Sequence, residues 1–121
     1  MLQAIVESAR KLLDTASSGI YLYLKESDEL ELTVAETPYS IIGTRLKSGE
    51  GVAGHVAKNR DALRLDDYSS WENRSLKYEN TVFHAVLGVP MLYGGELIGV
   101  LMVSETGNSI RKYTEADERM L

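Results

Sequence analysis

The apolar runs Phe83 to Tyr93 and Glu96 to Ser104 flank the dipeptide Gly94-Gly95, and this arrangement constrains the fold more than any other part of the chain. Glycine takes positive φ without a steric penalty, so two in succession suit a tight hairpin turn. The flanking runs then read as long strands joined as a hairpin. A hairpin of this length needs a sheet around it, because an isolated pair of strands is marginal in water. Pro90 cannot donate to a ladder, which predicts a bulge or local break at that point.

The rest of the chain supplies the partners. Leu2, Ile5, Val6, Ala9, Leu12, Leu13 and Ala16 recur at three- and four-residue steps, with Glu7, Arg10, Lys11 and Asp14 opposite, which predicts an amphipathic helix over 2–16 ended by Gly19. Ile20 to Lys25 and Leu30 to Thr37 read as strands joined by the turn residues Ser27-Asp28. In the first, Ile20, Leu22 and Leu24 point one way and Tyr21 and Tyr23 the other, so both faces need cover and the strand is expected to be central. In the second, Leu30, Leu32 and Val34 alternate with Glu31, Thr33 and Ala35, which predicts that mainly one face is buried. A short helix is expected over 51–59 and a strand over 62–66, with an irregular connection before them that includes a short extended piece at Gly43 to Leu46. A long polar loop over 67–81 carries Tyr68, Trp71 and Tyr78. Thr114 to Asp117 has the form of a helix-start box, and the chain stops at Leu121 about two turns later, as expected of a domain cut from a longer protein.

Composition removes whole classes of function. The chain has 121 residues and no cysteine, which excludes disulfides, thiolate metal sites, a cysteine nucleophile and thioether-linked cofactors. Lys plus Arg number 13 against 18 acidic residues, for a net charge of −5, and a phosphate backbone demands the opposite balance, so no nucleic-acid partner is expected. No apolar run approaches the ~20 residues needed to cross a bilayer. With no signal-peptide pattern either, a cytoplasmic location without membrane contact is the expectation.

The segments Gly49-Glu50-Gly51-Val52-Ala53-Gly54, Leu65-Asp66-Asp67, Val89-Pro90-Met91, Leu97-Ile98-Gly99-Val100-Leu101 and Tyr113-Thr114-Glu115-Ala116-Asp117 follow one another in a set order. Together they resemble the GAF domain, a small ligand-sensing module of signalling proteins, over nearly the whole chain, so that 1–121 reads as one GAF domain. The resemblance implies an α+β, PAS-related fold: an antiparallel sheet of five or six strands, with helices from the two chain ends on one face and a ligand pocket on the other. It also implies a non-enzymatic regulatory role in a bacterial or archaeal sensor, such as a histidine kinase. GAF relatives that attach a bilin or reduce free methionine sulfoxide use cysteines, which this chain lacks. The NKFDE-type motif of cyclic-nucleotide GAF domains has no counterpart between Ser75 and His84.

The candidate ligand-binding residues are Tyr21, Tyr23, Asp66, Tyr68, Trp71, Tyr78 and His84. Tyr21 and Tyr23 form the sheet face opposite the first helix. Tyr68, Trp71 and Tyr78 stand on the loop that would cover it, where aromatic rings offer contact area with a polar tip; Trp71 reads equally as an anchor tying the loop to the core. Asp66 and Asp67 end a strand, where adjacent side chains diverge, so one of them at most faces the pocket and capping competes as a role. His55 and His84 are isolated, which favours surface or core roles over a metal or haem ligand set. Gly49, Gly51 and Gly54 surround a helix start suited to an anion or to close packing, and no Walker lysine follows them.

The expected function is therefore a sensor of a small molecule of unknown identity, with no catalytic residues and no cofactor or metal. It would act on an output domain of the full-length protein and form a homodimer through its terminal helices. The alternatives are a ligand-free dimerisation or spacer module and a haem-binding sensor.

Overall fold

The computed structural model describes residues 2–36, 42–66, 71, 83–106 and 112–121. The elements are α1 (Leu2–Leu12), β1 (Ser17–Leu24), β2 (Glu29–Glu36), β3 (Arg45–Lys47), α2 (Gly51–Asn59), β4 (Leu63–Leu65), β5 (Phe83–Tyr93), β6 (Glu96–Thr106) and α3 (Glu115–Met120). The strands form a six-stranded sheet in the order β3-β2-β1-β6-β5-β4, with every neighbouring pair antiparallel. This is the expected α+β architecture. The hairpin is present as the sequence predicts, with Gly94 at φ 60° and Gly95 at φ 82° in its turn.

Both faces of the sheet are covered, and alternation along β1 assigns each side chain to its face. Ile20 packs with Val6, Ala9 and Leu13 from the α1 side and with Leu87, Leu101 and Val103 from the hairpin. Tyr113 and Leu121, which flank α3, join the same cluster, so both terminal helices lie on one face. Tyr21 points the other way into a second cluster with Leu30, Leu32, Leu46, Val86, Leu97 and Val100, closed by Val52, Ala53, Val56 and Ala57 of α2. β1 is thus central, as its two-sided apolar pattern requires.

Several boundaries differ from expectation, each for a local reason. The first helix ends at Leu12, not Ala16. Asp14 takes a left-handed conformation at φ 49°, its N–H donates to the Lys11 carbonyl, and the Thr15 N–H donates to the Arg10 carbonyl. These two bonds satisfy carbonyls the helix end would leave open, and they stop it before Gly19, which lies inside β1. Leu12, expected on the buried stripe, is 52% exposed.

β2 does not bury mainly one face. Its register on β1 passes from Ile20↔Val34 to Tyr21↔Leu32, leaving Thr33 as the extra residue of a bulge. A one-residue insertion reverses the phase of the pleat. Leu30 and Leu32 therefore join the α2-side cluster, whereas Val34 packs on the α1 side. Neither of the two hairpin irregularities falls at Pro90, which pairs with Val100: one shift lies between Phe83 and Val86, and the other lies between Met91 and Leu92 and leaves Ile98 unpaired on β6.

α2 spans the expected residues and lies close to β3. A Cβ on Gly54 would stand 2.5 Å from the Lys47 carbonyl oxygen, so only glycine permits this approach. The Gly49 N–H donates to the Gly54 carbonyl, and the Glu50 side chain accepts from the Lys47 N–H. At the far end, Arg60 occupies the left-handed capping position at φ 59°, with its N–H on the Val56 carbonyl. Thr114 and Asp117 form the reciprocal capping box of α3 foreseen from the sequence.

Candidate functional site

Among the described residues, the face beneath α2 combines aromatic side chains with open space at its edge. Tyr21 is 5% exposed, so it forms a wall of the core. Tyr23 sits at the rim of the same cluster. Its hydroxyl donates to Asp28 Oδ1 at 2.5 Å, and the guanidinium carbon of Arg60 lies 5.8 Å from its ring centroid. The hydrogen bond to Asp28 holds the Tyr23 phenol above its ordinary pKa, aided by burial and by the Asp28 charge, while Arg60 pulls weakly the other way. Tyr23 is accordingly a neutral donor at physiological pH.

Beside Tyr23 a groove of about 470 Å³ opens between the end of β1, the hairpin turn and the C-terminal end of α2. Leu22, Leu97 and Ile98 supply its apolar surface, and Lys25, Arg60 and Glu96 its charges. The volume is within the range of small-molecule sites. Leu97 and Ile98 of β6 both line it, as do the consecutive residues Leu22 and Tyr23 of β1, because it runs across the end of the sheet and meets side chains of both faces.

Trp71 packs against the α2-side cluster, with its ring 4.9 Å from that of His55 at an interplanar angle of 66°. His55 is oriented for this edge contact because its Nδ1–H donates to the Gly51 carbonyl at 2.9 Å, one turn back along α2. Asp66 stands apart: it is exposed and pairs with Lys112 at 3.9 Å. Its strand neighbour Arg64 pairs with Glu118 of α3 at 2.9 Å. Tyr68, Tyr78 and Asp67 lie outside the described residues, as does the side chain of His84, whose backbone belongs to β5.

Of the sequence candidates, the described structure places Tyr21, Tyr23 and Trp71 on one face and Asp66 elsewhere. Sequence reasoning missed Lys25, Arg60, Leu97 and Ile98. Arg60 carried a faint signal, since a helix followed by Asn59-Arg60-Asp61 must close without the glycine usual at that position. Ile98 carried none, because a bulge is a property of strand pairing. Among the described residues no group of three or more His, Cys, Asp or Glu side chains is arranged to hold a metal ion, and no helix is long and apolar enough to cross a membrane.

Comparison with known proteins places this geometry in a family. The sequence model of one family, described as GAF domain, matches residues 1–121. The chain belongs to the GAF family, which consists largely of regulatory and sensory modules. Among solved structures it is similar to the GAF domain of an Acinetobacter phosphoenolpyruvate-protein phosphotransferase, at 23% identity and a TM-score of 0.82, over 98% of this chain and 70% of that one. It is also similar to the free methionine-R-sulfoxide reductase of Neisseria meningitidis in complex with its substrate, at 22% identity and a TM-score of 0.80, over 98% and 67%. The GAF-B domain of DevS from Mycobacterium smegmatis follows the same fold at 14% identity and a TM-score of 0.78, over 98% and 80%. Comparison with curated proteins gave no match.

Proposed function

We propose that this chain is the small-molecule-sensing domain of a cytoplasmic signal-transduction protein, that it is not an enzyme, and that it holds its ligand on the α2-covered face of the sheet. The observation that carries this reading is the open groove beside Tyr23, an aromatic side chain at the rim of the α2-side cluster that contains Tyr21. The absence of cysteine removes the nucleophile and redox chemistry most accessible to a domain of this size. A ligand acts through such a module only by binding two of its states unequally. Asp66 and Arg64, at the end of β4, are ion-paired to Lys112 and to Glu118 of α3, and this offers a physical link from the ligand face to the last helix and hence to an output domain. Trp71 is the single tryptophan and touches the α2-side cluster, so its fluorescence is the direct test. Titration with a compound that binds this face should change the emission, and an unchanged spectrum at saturation would remove the site from this face.

A second reading, a module whose task is pairing, draws on a different surface. Ile5, Ala9 and Leu12 of α1 line an apolar groove of about 290 Å³ with Leu101, Met120 and Leu121. Leu12 and Met120 are about half exposed. A two-fold partner presenting the same helices would bury this strip.

A further inference from the structure

We propose that the groove beside Tyr23 takes a small organic acid, a monoanionic carboxylate on an apolar body. This deepens the reading above and rests on it. Lys25 and Arg60 converge on the groove against one lining carboxylate, Glu96, in a chain whose overall charge is negative. Among the lining side chains the excess is therefore one positive charge, which matches a carboxylate better than a doubly charged phosphate.

Arg60 is held ready for this task. Its backbone stands in the left-handed region at φ 59°, where glycine or asparagine is the usual occupant and a longer side chain is strained. The guanidinium donates to the Ala57 carbonyl and lies over the Tyr23 ring. These contacts fix its plane and use few of its five N–H donors, leaving an edge that can meet a carboxylate in the forked geometry arginine favours. Asp28, which accepts from the Tyr23 hydroxyl, is not among the lining residues. Among the described residues Lys25 has no ion-pair partner, so its ammonium can add to the same charge. The rest of the wall is apolar, from Leu22, Leu97 and Ile98, and gives the acid's body a surface to cover.

The test is a two-dimensional amide NMR titration with phenylacetate and with its neutral isostere phenylacetamide. It is run on the natural chain and on Arg60→Asn and Lys25→Gln; asparagine tolerates the left-handed backbone, so Arg60→Asn keeps the fold. Phenylacetate is expected to move the amide signals of Gly95, Leu97 and Ile98. Each variant should weaken it about tenfold or more, as should the change to phenylacetamide, since each removes an interaction of at least about 1.4 kcal/mol. Phenylacetamide binding at the same amides as tightly as the acid, or phenylacetate unaffected by both variants, would overturn the acid assignment and leave the groove as a ligand site. If neither compound moves these amides, the groove itself is wrong as a site and the inference falls with it.

Discussion

The hydroxyls of Thr15 and Tyr113, 98 positions apart in sequence, meet in a hydrogen bond inside the core. Thr15 also donates to the Ser104 carbonyl at 3.0 Å, so its own oxygen receives the Tyr113 proton. Ser17 and Ser104 share a further hydroxyl contact, and the Ser18 hydroxyl donates to the Val6 carbonyl of α1. One buried polar knot thus ties the end of α1, the edge of the central strands and the lead into α3. It stands where a movement of the sheet would reach the terminal helices. Among the described residues no buried side-chain polar atom lacks a partner, as the cost of burying an unmatched one requires.

Cutting this knot at its two ends should cost different amounts. Tyr113→Phe removes one hydroxyl and leaves Thr15 on Ser104, a loss of about 0.5–1.5 kcal/mol. Thr15→Val removes both links at once and leaves a buried carbonyl without that donor, so about 1–3 kcal/mol is expected. Urea unfolding of the two variants checks the order, and an equal or reversed ranking would show that the knot does not hold the helix ends.

Gly54→Ala is predicted to destabilise the chain by about 1–3 kcal/mol, because the added methyl meets a backbone oxygen that cannot rotate away. α2 would have to lift from β3, so Trp71 emission should change along with the unfolding midpoint. A neutral or stabilising result would mean that α2 is free to move over the sheet.

Tyr23 gives the fold a pH dependence with a defined sign. Its pKa is raised in the folded state, so the protonated phenol is favoured there. This contribution is complete below the unfolded tyrosine value of about 10 and is lost as pH rises through the higher folded value. Stability should therefore fall between the unfolded value of about 10 and the higher folded value more steeply in the natural chain than in Tyr23→Phe. Denaturant midpoints across that range measure it, and parallel curves would refute the role of Asp28.

The strip formed by Ile5, Leu12 and Met120 predicts self-association. Fully burying a leucine or isoleucine is worth about 1.5–3 kcal/mol, and the cost of association cancels much of that, so a weak dimer is expected. Light scattering across a concentration series should show a rising mass that Leu12→Glu abolishes. A constant monomer mass in both would rule the strip out as a contact.

The elements set by local chemistry were legible in the sequence. Gly94-Gly95 announced the hairpin, the Thr114–Asp117 box announced α3, and the α2 bounds followed from Gly51 and the small apolar residues after it. Features decided between strands were not. The bulge at Thr33 sends Val34 to the face opposite Leu32, and the bulge at Ile98 leaves that residue unpaired beside the groove; both depend on the register of a partner strand. The early end of α1 turned on Asp14 accepting a left-handed backbone, which the apolar stripe concealed. Aromatic side chains pointed to the face that matters, through Tyr21, Tyr23 and Trp71. The charged rim at Lys25 and Arg60 was hidden among cations that in sequence look like ordinary solvated surface.

The central claim is that the Tyr23 face holds a small molecule, and native mass spectrometry of the chain after incubation with a bacterial metabolite extract tests it most directly. The account predicts one adduct per chain in the mass range of a metabolite. That adduct should be lost in Ile98→Trp, which fills the groove from an exposed and unpaired position without entering the core. A chain that stays at its bare mass, or an adduct that Ile98→Trp leaves untouched, would contradict it.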